Sequence, residues 1–141
     1  MKNVAILGAS GFVGHEIIKI CLNHPHVRIE AVSANRSAGE KVQIQDSVSI
    51  QDSLEYKKYE DINFSSIDYV FNCLPNESLH KRNDLLKSDI RIIDLSIDFR
   101  LDDKNEYQNW YGFEHSNIEV NNEFQYGLTE FNRNEIKKSK C

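Results

Sequence analysis

The chain has 141 residues, 40% of them hydrophobic and 28% charged, with a formal net charge of −5 at pH 7. These values describe one globular domain with a real core. They exclude a basic field for nucleic acid, and no stretch approaches the roughly 20 apolar residues of a membrane span. Cys21, Cys73 and Cys141 are odd in number, widely spaced and without a CxxC pair. Reduced thiols in a cytoplasm are expected, not a disulfide framework or a zinc site. The opening apolar run is cut short at Gly8, which does not fit a signal peptide.

Val4-Ala5-Ile6-Leu7 reads as a buried parallel strand, covered on both faces. It runs into Gly8-Ala9-Ser10-Gly11-Phe12-Val13-Gly14. In that context the glycines suit a tight turn, a close backbone approach and helix-on-strand packing, in that order, with a pyrophosphate at the helix N-terminus. The plain alternative is a glycine-rich turn with no ligand.

Val13, Ile17, Ile18, Ile20 and Cys21 follow at helical spacing, and the helix is expected to stop near His24-Pro25. Val27, Ile29 and Ala31 alternate with Arg28 and Glu30, predicting a second strand that ends near Ser33. Ser37-Ala38-Gly39-Glu40 is loop-like, and Leu54 to Tyr59 hold a short strand. Asp68 to Leu74 form a buried strand ended by Pro75. A helix is expected from Glu77 to Lys87, with Leu79, Leu85 and Leu86 toward the sheet. Arg91 to Leu95 form the next strand.

Residues 102–122 are polar and aromatic, an ordered excursion in which Tyr107, Trp110, Tyr111 and Phe113 pack together. A final helix is expected from Asn132, with Glu135 at capping-box spacing, Ile136 inward and Lys137, Lys138 and Lys140 outward. The order of elements predicts an α/β, Rossmann-like fold: a parallel sheet with helices on both faces and right-handed crossovers.

The choice of dinucleotide turns on the end of the second strand. A carboxylate there, about 20 residues past the first glycine, binds the 2′-hydroxyl of NAD. Glu30 is near that distance but inside the strand, whereas Ser33, Arg36 and Ser37 stand at its end. Donors and positive charge suit a 2′-phosphate, so NADP is expected. A solvated loop arginine is the alternative for Arg36.

Further strings accompany the glycine turn in order: His24-Pro25, Ser37-Ala38-Gly39, Asp94-Leu95-Ser96-Ile97-Asp98-Phe99-Arg100, Tyr107 with Trp110-Tyr111-Gly112, Glu114-His115, and Tyr126-Gly127-Leu128-Thr129-Glu130. Together they resemble the N-terminal half of N-acetyl-gamma-glutamyl-phosphate reductase, over nearly the whole chain. The resemblance implies an NADP-dependent reduction of an acyl phosphate to an aldehyde in arginine biosynthesis. A cysteine thiolate displaces phosphate, NADPH delivers hydride to the thioester, and a histidine assists. It implies cofactor contacts at Gly8, Ser10, Gly11, Phe12, Val13, Gly14, Ser33, Arg36, Ser37, Leu74 and Pro75. It also implies a homo-oligomer for the complete enzyme, with a small-molecule substrate as its partner.

The family's Asn-Pro-Gly-Cys segment is absent from the chain, as are its later histidine and substrate domain. Residues 1–141 are therefore expected to be a dinucleotide-binding domain, incomplete relative to the family, with no catalytic residue of its own. Apolar surface should be exposed where the family's later chain completes the domain. Cys141 lacks the Asn-Pro-Gly lead, and Cys21 and Cys73 read as small core residues. Pro75-Asn76-Glu77 replaces the usual Pro-His-Gly, and Thr129 replaces proline.

Asp98 and Arg100 follow a strand's carboxyl end, where they would meet a substrate phosphate or pair with each other. His115 beside Glu114 reads as a loop anchor before a site residue. Three other readings compete. A short-chain dehydrogenase needs a lysine four residues after its tyrosine, and none of the six tyrosines has one. A related aspartyl- or aminoadipyl-phosphate reductase, or a non-catalytic nucleotide-binding module, stays open.

Overall fold

The structure is a computed structural model that describes residues 1–44 and 54–139. Five parallel strands form one sheet: β1 (Lys2–Leu7), β2 (Val27–Ser33), β3 (Tyr56–Lys57), β4 (Tyr69–Asn72) and β5 (Arg91–Asp94), in the spatial order β3-β2-β1-β4-β5. The helices are α1 (Phe12–Leu22), α2 (Asn83–Leu86), α3 (Lys104–Tyr111) and α4 (Thr129–Ile136). Cys141 and Lys140 lie outside the described residues, so the reading of Lys140 as part of a solvated terminus is not addressed.

The apolar run at the start of the chain is explained by the pleat. Val4 and Ile6 face one side of the sheet, with Ile29, Val32 and the α1 residues Ile18 and Cys21. Ala5 and Leu7 face the other, with Val70, Ile92, Leu79, Leu85 and Leu86. Successive side chains point to opposite faces, so a strand covered twice needs every position apolar. The α1 stripe is narrower than its periodicity implies. Gly14, Ile18 and Cys21 are buried, while Val13 and Ile20 are exposed, Ile20 by 61%.

Three expectations require correction. The helix predicted over 77–87 is instead a 3-10 turn (Leu79–Lys81) followed by the single turn α2. The His80 carbonyl accepts from Ser116 Oγ at 3.0 Å and from Asn117 Nδ2, so it is not available to continue a helix. Arg82 between the two pieces is non-helical (φ −94°, ψ 70°). The three leucines nevertheless point to the core as expected.

The last helix begins at Thr129, not Asn132. Asn132 is a kink inside it (φ −109°, ψ 20°), and its side-chain amide donates to the Tyr126 carbonyl instead of capping. Ile136 is half-buried. The aromatic cluster also divides. Tyr107 and Phe113 are buried, but Tyr111 is on the border of exposure and Trp110 is 76% exposed.

The excursion itself is ordered as expected. Asp103 caps α3 by accepting from Asn105 N–H at 2.8 Å, and Gly112 ends it in the left-handed region at φ 76°. A 3-10 segment follows at Ile118–Glu123. β5 is a sheet edge, with Ile93 and Leu95 exposed on it and just after it, and Tyr126, Leu128 and Phe131 are exposed nearer the end of the chain.

Candidate cofactor site

Strand order reverses at β1, since β2 lies on one side of it and β4 on the other. Ligands of open α/β sheets bind outside the carboxyl ends of the strands at such a point. The loop leaving β1 there is the glycine-rich turn. Gly8 has φ 71°, and a Cβ on it would lie 2.4 Å from the Cys73 carbonyl oxygen. This seats the turn against the end of β4 beside Leu74. Gly14 is equally constrained, since its Cβ would meet the Gly8 oxygen and the Ala9 Cα at 2.6 Å. At Gly11 the nearest atom would be the Gly8 oxygen at 3.4 Å. The first and third glycines serve packing, and the second leaves open approach to the backbone.

The main-chain donors of this turn divide in the same way. Ala9 N–H is spent on the Ser33 carbonyl at 2.8 Å, and Gly11 N–H on the Gly8 carbonyl at 3.1 Å. Among the described residues the N–H groups of Ser10, Phe12, Val13 and Gly14 have no protein acceptor. Gly11 caps α1 without a side chain, and the first turn carries no acid. Uncovered donors at a helix start, with the positive end of its dipole, fit a diphosphate. Phe12 is 85% exposed over this mouth, and Ser10 is exposed as well.

At the end of β2, Ser33 is buried, Arg36 is exposed and Ser37 is half-buried. Glu30 stays within the strand and pairs with Arg28, away from the strand's end. A groove of about 500 Å³ joins Ser10 and Ser37 to His15, Glu40, Lys41 and Tyr56. His15, Lys41 and Tyr56 escaped the sequence reading because β3 and the 37–43 loop reach α1 only through the tertiary fold. The expected contacts Leu74 and Pro75 follow β4, half-buried and exposed respectively, with the Leu74 backbone against Gly8.

Asp98 and Arg100 do not pair with each other, contrary to one of the two expectations. Asp98 is fully buried. Its carboxylate accepts from Glu77 N–H at 2.7 Å, Leu79 N–H at 2.8 Å and His80 N–H at 3.1 Å. Arg100 is exposed, and its guanidinium donates to the Ser96 carbonyl at 3.3 Å. His115 is a loop anchor as expected: its Nε2 donates to the Asp98 carbonyl, and its Nδ1 accepts from Asn117 N–H at 3.2 Å. His80 is buried beside it, with Nδ1 accepting from Ser116 N–H at 3.0 Å. Burial holds both imidazoles below the usual histidine range.

A second buried polar pair lies at the strand ends. Asn72 Nδ2 donates to Asp94 at 2.6 Å, and Ser96 supplies N–H and Oγ–H donors to the same carboxylate. Burial raises the Asp94 carboxyl above its ordinary range, with Asp98 adding to the shift. The sequence signal for this pair was Asn72 inside an apolar strand.

Both described cysteines are held in the thiol form. Burial pushes the Cys21 thiol up to about 11, and burial with the Asp94 carboxylate pushes Cys73 up to about 11. Cys21 is in the core as expected, whereas Cys73 is only half-buried, at the edge of the core and against the glycine turn. Among the described residues no group of His, Cys, Asp and Glu could hold a metal, and no helix is long and apolar enough to cross a membrane.

Residues 3–139 match the family model described as semialdehyde dehydrogenase, NAD binding domain. The chain is 42% identical over 138 residues to a probable chloroplastic N-acetyl-gamma-glutamyl-phosphate reductase of Oryza sativa subsp. japonica, a match covering 97% of this chain and 33% of that protein. It is 41% identical to N-acetyl-gamma-glutamyl-phosphate reductase of Cereibacter sphaeroides, covering 97% and 40%. The chain thus spans between a third and two fifths of the length of these relatives.

Among solved structures, aspartate semialdehyde dehydrogenase with NADP from Candida albicans aligns at a TM-score of 0.61 and 23% identity, over 74% of this chain and 32% of that one. Aspartate semialdehyde dehydrogenase II from Vibrio cholerae aligns at 0.62 and 15%, over 99% and 37%. At those identities the likeness is one of fold. With the family model running through the glycine cradle and the whole of the sheet, the chain belongs to the semialdehyde dehydrogenase NAD-binding domain family.

Proposed function

We propose that this chain is the NADP-binding part of an N-acetyl-gamma-glutamyl-phosphate reductase. The observation that carries the cofactor reading is the cradle at the mouth of α1, where among the described residues the N–H groups of Ser10, Phe12, Val13 and Gly14 have no protein acceptor, with Gly11 open between them in sequence. Bound NADPH would supply the hydride for reduction of an acyl group. The chain's own residues bind and orient it. The backbone from Ser10 to Gly14 takes the diphosphate, Arg36 and Ser37 take the 2′-phosphate, and Leu74 and Pro75 flank the nicotinamide end.

The substrate reading rests on 41–42% identity to N-acetyl-gamma-glutamyl-phosphate reductases, against 15–23% to aspartate semialdehyde dehydrogenases. With both Asp98 oxygens already engaged, Arg100 is the member of that pair free to meet an anionic substrate group. The nucleophile and substrate pocket belong to a part of the reductase that this chain does not contain. In the complete enzyme we place the reaction in the cytoplasm and in a homo-oligomer.

Titration of the purified chain with NADPH and NADH tests the reading. Saturable binding is expected, tighter for NADPH, with no turnover of acyl phosphate. Absence of uptake by folded protein overturns it, and equal affinities overturn the preference for NADP together with the roles of Arg36 and Ser37.

A further inference from the structure

One histidine at the edge of the cofactor cradle is not explained by the glycine motif. His15 lies in the first turns of α1, half-buried, with Nε2 2.8 Å from the Tyr56 hydroxyl. Tyr56 is itself buried, and burial with the Glu40 carboxylate pushes its phenol up. The Tyr56 hydroxyl can donate to Nε2, and in that tautomer the ring proton is on Nδ1. Among the described residues Nδ1 has no protein partner. The ring therefore presents an N–H donor, already oriented, to the groove it shares with Ser10, Ser37 and Lys41.

Lys41 is the second unassigned group there. An isolated antiparallel bridge to Glu55 pins its backbone, its side chain is exposed, and among the described residues it has no ion-pair partner. Of the charged side chains here, Glu40 and Lys41 line the groove, Glu55 stands across the bridge from Lys41, and Arg36 precedes Ser37 in sequence. The adjoining first turn of α1 adds no acid. An exposed ammonium without an ion-pair partner among the described residues, next to a diphosphate cradle, suits a further phosphoryl group on the same ligand.

We propose that His15, through Nδ1–H, and Lys41, through its ammonium, join Arg36 and Ser37 in binding the 2′-phosphate of NADP and add to its cofactor specificity, with Tyr56 as the positioning residue for His15. This rests on the NADP reading above. Glu40 opposes the phosphate from the same groove and limits the affinity that the two donors provide.

The test is equilibrium binding to the 141-residue chain of NADPH, NADH, 2′-AMP and 5′-AMP, measured by calorimetry. His15→Gln and Lys41→Gln are each expected to weaken NADPH and 2′-AMP about tenfold, the loss of one charge-assisted hydrogen bond, and to leave NADH and 5′-AMP unchanged. Tyr56→Phe frees the ring proton to move to Nε2 and is expected to weaken NADPH about threefold. Circular dichroism checks the fold of each variant, and Lys41→Gln, on an exposed loop, bears on the proposal even if His15→Gln unfolds. Unchanged preference for NADPH in Lys41→Gln and in folded His15→Gln overturns this assignment alone. Equal affinity of the unmodified chain for NADPH and NADH overturns the NADP reading and this assignment with it.

Discussion

Asp98 holds Glu77 in a backbone conformation that side chains rarely adopt. The Asp98 carboxylate accepts the Glu77 N–H at 2.7 Å, and Glu77 sits at φ 65°, the single non-glycine residue with positive φ among the described residues. The turn they form follows Leu74 and Pro75, so the shape of the β4 exit depends on a carboxylate that enters from beyond β5. Left-handed backbone costs a non-glycine residue about 1 kcal/mol, and two further N–H bonds to Asp98 offset it.

Glu77→Gly is therefore expected to stabilise the chain by about 1 kcal/mol, because only glycine adopts this backbone without a Cβ clash. The ion pair lost with it, to Lys81 at 3.8 Å, is exposed and contributes little. Urea denaturation gives the answer as a rise in midpoint at constant slope. A lower midpoint would show that the turn is not strained.

Asp98→Ala is expected to cost about 3 kcal/mol or more, since it strands N–H groups of Leu79 and His80 in the interior without acceptors. Hydrogen exchange at these two amides should accelerate ahead of the sheet. NADPH affinity should fall as well, because the turn after Pro75 loses its anchor. Stability within about 0.5 kcal/mol of the original would refute the three-bond clamp.

Gly11 and Gly14 should respond oppositely to alanine. A Cβ at Gly14 meets backbone at 2.6 Å, so Gly14→Ala overpacks the α1–β1 contact and is expected to destabilise by about 1–3 kcal/mol. A Cβ at Gly11 fits, so Gly11→Ala should leave the thermal midpoint nearly unchanged while weakening NADPH at least tenfold. Thermal melts paired with a binding titration separate the two effects.

Stability should fall on mild acidification. His80 and His115 are held neutral by burial, with folded pKa values below that of an exposed histidine. The unfolded chain takes up protons near pH 6.5 while the folded chain does not. Stability is thus complete above that pH and is lost below it, at up to about 1.4 kcal/mol per pH unit for each histidine. The raised Asp94 carboxyl acts in the opposite sense at lower pH: the folded chain holds a proton that the unfolded chain has released, so this group favours the folded state in acid and loses that advantage as pH rises past about 4. Unfolding free energies measured from pH 5 to 8 check the histidine slope, and a flat profile would mean the imidazoles are solvated.

Much of the cofactor half was legible from local pattern. The β1 run, the glycine turn, β2 and the strand Arg91–Asp94 each carry their own periodicity or punctuation, and the parallel sheet followed from the alternation of elements. The helix expected over 77–87 failed for a non-local reason: Ser116 and Asn117, more than 30 residues away, take the His80 carbonyl. Trp110 was grouped with Tyr107 by proximity in sequence, but α3 turns it outward.

Chain order alone determined that a strand, a glycine turn and a helix would meet at a diphosphate cradle, because these are contacts between residues a few positions apart. Which groups stand around that cradle was decided only in three dimensions. His15 meets Tyr56 across 41 positions, and Asp98 reaches back 21 to Glu77. Pairings at that separation have no period along the chain; they exist because sheet packing closes the intervening loops and buries polar groups that must then find partners.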